Sequence, residues 1–326
     1  MKFIARFVAL AVTGIALGMQ AGGARAQEYP SKPIRIVVPT PPGGIVDLLA
    51  RLIGQKLTES WKQPVTVDNR GGGGTIIATD IVAKTPPDGY TILLVAPNLA
   101  INPSLHRKLP YDAERSFAPV TLLVLSPTVL VVHPSLPVNT LRELIALAKS
   151  RPGQINYGSN GNASGGHLAM ELLKRMAGID MLHIPYKGPA SAVTGLLAGQ
   201  VSLMFAQVPT VRAIIARGEL RALAVARGVR SQALPDVPTI AEAGGLPDFK
   251  FDTWFGIVAP AGTPGGIVSR LNSEIGKIMR MPDVRDMLVP RGAEPATGTP
   301  EEFAAFIRGE IATAAELVKI AGARVD

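Results

Sequence analysis

The sequence predicts an α/β protein of about two domains, built on a largely parallel sheet. Three observations carry this. The chain has 326 residues, enough for about two units that each bury a core. Short apolar runs alternate with helix-period segments, with glycine or proline at the junctions. Apolar residues make up 47% and charged residues 18%, with no long polar tract, which is a globular composition and not a disordered one.

Residues 1–26 read as a secretory leader. Lys2 and Arg6 give a basic start, Phe7 to Met19 carries no charge, and Ala24-Arg25-Ala26 offers the small-x-small pattern of a cleavage site. Cleavage is expected after Ala26, and the mature protein is expected to be soluble and periplasmic. The thirteen residues of the apolar run fall short of the ~20 that a membrane-spanning helix needs.

The mature chain then runs through its elements. Ile34–Val38 is a short β run ending at Pro39. After Gly43-Gly44, a helix is expected from Asp47 through Leu57, with Leu48, Leu49, Leu52 and Ile53 apolar. Pro64–Val67 reads as a strand and Thr75–Lys84 as a helix, closed by Pro86-Pro87-Asp88-Gly89. Thr91–Val95 is the next strand. Thr121–Val132 is a long β run with a break expected at Pro127. Thr140 and Glu143 have capping-box spacing ahead of Leu141, Leu144, Ile145 and Ala148. Asn156 through Gly166 reads as a small-residue loop that opens a helix at His167. Met181–Tyr186, Val201–Phe205 and Leu220–Ala226 read as strands, and Ala190–Leu197 as a helix. Thr263-Pro264 supplies an N-cap and a first-turn proline ahead of Ile267, Leu271, Ile275 and Ile278, and Thr299-Pro300 does the same ahead of Phe303, Phe306 and Ile307.

No repeat and no flexible linker interrupts this order. The chain is therefore expected to cross between domains on extended segments. The first crossing falls in Thr121–Val132. The return uses Leu220–Ala226 or Thr253–Val258, with the second favoured. The resulting division is residues 27–124 and 253–326 in the first domain and 125–252 in the second. The last helix has no strand after it and is expected to pack on the first domain.

Composition excludes several functions. Removing residues 1–26 takes Lys2, Arg6 and Arg25 and no acid, so the formal charge falls from +8 to +5. The basic residues are scattered, whereas a nucleic-acid footprint needs a concentrated patch. A modest positive field favours anionic ligands. There is no cysteine, hence no disulfide framework and no thiolate metal site. Aromatics are 5% of the chain, with Trp61 and Trp254 the only tryptophans, which disfavours a stacking platform for sugars.

Three turns could hold a ligand. Pro39–Asp47 ends a strand, places two glycines and begins a helix. Free backbone N–H groups and the dipole at a helix start favour an anion, and ligands of open α/β sheets bind beyond the carboxyl ends of strands. An ordinary glycine turn, with Asp47 answering the dipole, fits the same residues equally well. Gly158–His167 is a second strand-to-helix turn, rich in hydroxyls and amides; a polar surface loop is its plain alternative. Pro185-Tyr186-Lys187-Gly188 is a strand end bearing a hydroxyl and an ammonium. A lone lysine there is more often solvated. The Gly71–Gly74 run lacks both P-loop and dinucleotide spacing and reads as a loop packed on its neighbour. Ser159 lacks the glycine two positions earlier that a nucleophile elbow needs. His106, His133, His167 and His183 show no metal-ligand spacing. Such turns hold a ligand and do not transform it, so neither an enzyme, a cofactor nor a metal is expected.

At these turns the chain resembles the Bug (TctC-type) extracytoplasmic solute receptors of tripartite tricarboxylate transporters. Tyr29-Pro30-Ser31-Lys32-Pro33-Ile34-Arg35, Val37-Val38-Pro39, Gly43-Gly44 with Asp47, and Asp68-Asn69-Arg70 are similar to the family opening. Pro87-Asp88-Gly89-Tyr90-Thr91, Asn102-Pro103, Tyr157-Gly158-Ser159, His167-Leu168, Pro185-Tyr186-Lys187-Gly188 and Ala259-Pro260-Ala261-Gly262-Thr263-Pro264 follow in family order. The resemblance implies a two-domain type II periplasmic-binding-protein fold, of class α/β, with a hinged interdomain cleft. Carried over by position, the expected ligand-binding residues are Pro42, Gly43, Gly44 and Asp47 from the first domain, with Asn98 on a wall. Ser159, Gly161, Ser164, His167, Tyr186 and Lys187 come from the second. The implied ligand is a small carboxylate. It would pass to integral-membrane permease subunits, or the loaded form would be presented to a sensor kinase. A monomer with no nucleic-acid partner is expected. Two departures stand out. Arg70 is followed directly by Gly71, where the family usually has Arg-Pro-Gly. Ala206-Gln207 follows Met204-Phe205, where the family often has an acid. The second departure favours a plain carboxylate over an amino acid.

Overall fold

The computed structural model describes residues 29–162, 164–247, 249 and 251–322; the leader expected at residues 1–26 lies outside them. The first strands are β1 (Ile34–Val38), β2 (Val65–Asn69) and β3 (Thr91–Val95). β1 pairs in parallel with both neighbours, so it has no free edge and its apolar side chains are buried on both faces. Helix α1 (Ile45–Trp61) follows β1, two residues ahead of the expected start, and buries Val46, Leu49, Ala50, Ile53 and Leu57 along one stripe. α2 spans Ile76–Ala83. α3 (Asn98–Leu105) carries Pro103 inside it and was not legible as a helix.

β4 (Phe117–Val132) runs unbroken for 16 residues, straight through Pro127. The break expected there is absent because pairing changes partner at that point. Phe117–Pro127 pairs with β9 (Asp252–Pro260). Thr128–Val132 pairs with β7 (Leu203–Gln207), and Val129–Val132 also with β8 (Arg221–Val225). Irregular register near Pro119 and Leu122 absorbs the other proline.

Next come α4 (Leu141–Ser150), β5 (Asn156–Ser159), α5 (Gly165–Ala177), β6 (Leu182–Pro185), α6 (Pro189–Leu197), α7 (Val208–Ala216) and α8 (Ile240–Gly244). The N-terminus of α4 is half of a capping box: Thr140 Oγ1 accepts from Glu143 N, but the Glu143 carboxylate accepts from Asn139 N. Full boxes form at Thr239 with Glu242 ahead of α8 and at Thr299 with Glu302. The chain closes with α9 (Gly265–Arg280), α10 (Pro282–Leu288), β10 (Glu294–Pro295) and α11 (Pro300–Ala321). α9 begins one residue later than expected. Pro264 has ψ 135, which is not helical, so it caps the helix, and Thr263 donates its hydroxyl proton to Pro260 O.

The sheet order is β2-β1-β3-β9-β4-β7-β5-β6, with β8 and β10 also on β4. Among the described strands, β4 is the one that belongs to both ends of this order. One core lies among β1, β3, β9, α1 and α9, and another among the end of β4, β5, β7, α4 and α5. α11 touches both halves. Its Ala314, Leu317 and Val318 join Ile101 and Leu105 of α3 and Leu168 of α5 in one apolar cluster, so the last helix braces the two halves together.

Candidate functional site

Strand direction decides what the halves present to each other. β1 and β3 are parallel, β9 is antiparallel to β3, and β4 is antiparallel to β9. β1, β3 and the first part of β4 therefore run the same way. β7 is antiparallel to β4, and β5 and β6 run with β7. The carboxyl ends of β1 and β3 thus point along β4 toward the second half, and those of β5, β6 and β7 point back toward the first. Val95 is level with Leu122 through Gly256, and Gln207 is level with Thr128. Six residues of β4 separate these levels, roughly 20 Å of strand.

From the first half comes the turn between β1 and α1. Gly43 has φ +97, which favours glycine. Gly44, at φ −86 and ψ 176, caps α1 with no side chain to answer the free N–H groups that follow. A Cβ at either glycine meets nothing within 4 Å, so this backbone faces open space. Pro42 is exposed beside them. Asp47 is only 5% exposed, and its carboxylate is engaged by the turn itself. It accepts from Arg51 Nε at 2.9 Å, Gly43 N at 3.1 Å and Asn69 Nδ2 at 3.0 Å. The Arg51 bond above all, with those from Gly43 and Asn69, holds its pKa down to about 2 despite burial. Asn69 also donates to Thr40 O. Asp47 therefore shapes the turn from beneath. The glycine run flanks it, since a Cβ on Gly71 would lie 3.0 Å from Pro41 Cδ. Asn98 opens α3 at the adjacent strand end, half-buried. Asn102, one helical turn on, donates to Gly74 O and ties that run down.

From the second half comes the turn between β5 and α5. Ser159 is fully buried, and its Oγ lies 2.6 Å from His183 Nε2. The distance suits a nucleophile and base, but complete burial keeps any substrate away from the hydroxyl. Gly161, at φ +133, turns the chain. Ser164 caps α5 without a side-chain bond. Its Oγ, Asn160 Oδ1 and, in the opposite turn, Thr40 Oγ1 are buried with no hydrogen-bond partner among the described residues. Gly166 lets α5 approach β7, where a Cβ would sit 2.9 Å from Phe205 O.

His167 and Tyr186 are near this turn with their rings directed elsewhere. His167 is 7% exposed and stacks on His183 with ring centres 3.9 Å apart at 7°. Burial lowers both imidazole pKa values, that of His183 to about 4, with His167 adding to its shift. The Tyr186 hydroxyl donates to Gln200 Oε1, and its ring lies so close over Gly195 that a Cβ there would be 2.2 Å from the hydroxyl. Lys187 is exposed at the strand end. The residues missed from the sequence are Arg51 and Asn69, which hold Asp47, and His183. The i,i+4 spacing of Asp47 and Arg51 was a signal for the first; nothing local marks His183.

Beside the crossing strands a separate hollow of about 220 Å³ is lined by Pro97, Ile101, Leu168, Phe251, Asp252 and Glu310 among others. Burial pushes the Asp252 carboxyl up to about 7, even with Arg227 beside it. Glu310 is also raised by burial; it accepts from Trp254 Nε1 at 2.8 Å. Arg227 further pairs with Glu294, which accepts from Ser231 Oγ and Gln232 N as well. Among the described residues, no three or more His, Asp or Glu side chains gather as metal ligands would, and no helix is long and apolar enough to cross a membrane.

Comparison with known proteins places this architecture. The profile of the tripartite tricarboxylate transporter family receptors matches residues 49–323. Protein BugT of Bordetella pertussis is 39% identical over 320 residues, covering 97% of this chain and 98% of that one. Among solved structures, Rpa4515 of R. palustris, determined with adipate, superposes with a TM-score of 0.80 at 37% identity, over 91% of this chain and all of that one. MatC of Rhodopseudomonas palustris, with bound malate, superposes at 0.74 and 31% identity, over 89% of this chain and all of that one. These neighbours share the α/β, two-domain binding-protein fold.

Proposed function

Because the chain belongs to the tripartite tricarboxylate transporter receptor (TctC, Bug) family, we propose that it captures a small di- or tricarboxylate outside the cytoplasm and delivers it to the permease subunits of such a transporter. The leader pattern at residues 1–26 supports export to the periplasm. The observation that carries the reading is the opposed direction of the two strand sets. In this reading the N–H groups at Gly44 and the start of α1 face the turn after β5 across that interval. Backbone donors at helix starts suit carboxylates, and two relatives hold adipate and malate.

In this reading one lobe comprises residues 27–124 and 253–326 and the other 125–252. They close about β4 and β9, and the ligand stabilises the closed form by touching both. Gly44, the helix start behind it and Asn98 receive the ligand from one side and Ser164 and Asn160 from the other, while Gly43 and Gly161, whose N–H groups are taken by Asp47 and Ser159, bend the two turns. Pro42 and Lys187 flank the entrance. Asp47, Ser159, His167 and Tyr186 hold the turns in shape. No step of bond making is involved. Thermal-shift titration across mono-, di- and tricarboxylates, adipate and malate included, is the test, since a ligand that binds the folded state raises apparent stability. The expected outcome is a shift with at least one dicarboxylate. A protein that responds to aspartate or glutamate and to no simple dicarboxylate would refute the proposed ligand class, which also draws on Ala206-Gln207 in place of an acid.

A further inference from the structure

We infer that His183 is the positioning residue of the second-half turn and acts through the Ser159 hydroxyl. The consequence for binding rests on the carboxylate-receptor reading; the positioning itself rests on geometry alone.

Ser159 ends β5, and its buried hydroxyl stands among three groups. It lies 2.9 Å from Gly161 O, to which it donates, and it accepts from Gly161 N at 3.2 Å. His183 Nε2 is the third neighbour at 2.6 Å. A serine hydroxyl has one proton and two lone pairs, so with the imidazole proton on Nε2 the three contacts use all of its capacity. The Ser159 hydroxyl then grips both the N–H and the C=O of Gly161, the residue whose φ of +133 bends the turn. Ser164 N also donates to Gly161 O, so the grip reaches the cap of α5. Asn160 and Ser164, whose buried oxygens have no partner among the described residues, take their direction from this bend.

β6 brings His183 to this place. It pairs in parallel with β5, setting Tyr157 beside His183 and Ser159 beside Pro185, and Tyr186 N donates to Ser159 O at 3.0 Å. The ring is held on two sides, by His167 at 3.9 Å and Tyr157 at 4.9 Å. His167 lies in the first turn of α5, so one imidazole links the strand, the turn and the helix start.

Four variants test this by calorimetric titration of adipate: His183→Phe, His183→Gln, Ser159→Ala and the double variant His183→Phe with Ser159→Ala. Phenylalanine keeps a stacked ring and removes the nitrogen. Glutamine returns an amide near the position of Nε2. His183→Phe is expected to raise Kd about tenfold, the size of one lost hydrogen bond, and His183→Gln to return it to within about threefold of the parent. If His183 acts only through Ser159, the double variant binds no more weakly than Ser159→Ala alone. A Kd unchanged in His183→Phe, or two losses that multiply in the double variant, would overturn the inference. A second readout needs no ligand. The Gly161 amide resonance should move in His183→Phe and return in His183→Gln, and a stationary resonance also overturns it. If the parent protein takes none of the mono-, di- or tricarboxylates of the panel while the resonance behaves as stated, the carboxylate reading fails and the positioning role of His183 stands.

Discussion

Gly44 offers the cleanest perturbation of the proposed site, because the fold has no need of a glycine there. Its φ of −86 and ψ of 176 suit any residue, and a Cβ would meet nothing within 4 Å. Gly44→Phe should therefore fold, losing about 1 kcal/mol because an apolar residue is a poorer N-cap than glycine. Its ring, however, enters the space that α1 faces with its free N–H groups. A ligand at about 100 times its Kd stabilises the folded protein by about 2.7 kcal/mol. For about 300 residues unfolding together, an entropy near 2.1 cal/mol/K per residue converts this into a Tm rise of about 4 °C. The assay is a thermal melt with and without the best dicarboxylate of the panel. Without ligand the variant should melt within about 3 °C of the parent, and with ligand its own Tm should rise by less than about 1 °C. A full rise of about 4 °C in Gly44→Phe would remove the first turn from the site.

Other expectations follow from single contacts. Asp47→Asn should cost about 1–2 kcal/mol in denaturant unfolding at pH 7. In the parent that contribution is present above the ordinary carboxylate pKa and is lost as pH falls from 4 toward 2, because folding lowers the pKa of this acid; an unchanged acid transition in the variant would contradict it. Asp252 behaves in the opposite sense. Its folded pKa is raised to about 7, so its favourable contribution is complete below pH 4 and lost as pH rises toward 7. Asp252→Asn should therefore gain stability over the parent between pH 5 and 8, a trend readable from denaturation midpoints. Thr128 Oγ1 is buried without a partner among the described residues, so Thr128→Val should raise unfolding free energy by about 1 kcal/mol; a loss of that size would reveal an unrecognised bond.

The parts of the fold that were legible are those where local pattern and tertiary setting agree. Ile34–Val38 and Thr91–Val95 are mostly apolar because they lie inside the sheet, and the helix at Thr299-Pro300 carries a cap that acts on its own residues. Legibility fell where distant partners decide. Pro127 looked like a break, yet the pairing that sustains β4 on either side comes from β9 and β7, far along the chain. α3 was hidden by Pro103, which sits within its eight residues. At the candidate site the glycine turns were visible because they answer to backbone geometry alone. The orientation of side chains was not. Tyr186 turns toward Gln200 and Gly195, and Ser159 turns toward His183, 24 residues away, which only the parallel pairing of β5 and β6 brings close.

The place of β9 has a consequence for how the molecule assembles. It lies between β3 and β4, and its Val258 pairs with Leu93, so 165 residues must be made before that ladder can form. Until then β3 and β4 have no central strand to join them. The intervening segment draws its sheet from β4 through β8, all of it earlier in the chain. It can mature first, leaving the outer portion to knit around it last. Contacts so remote in sequence slow folding.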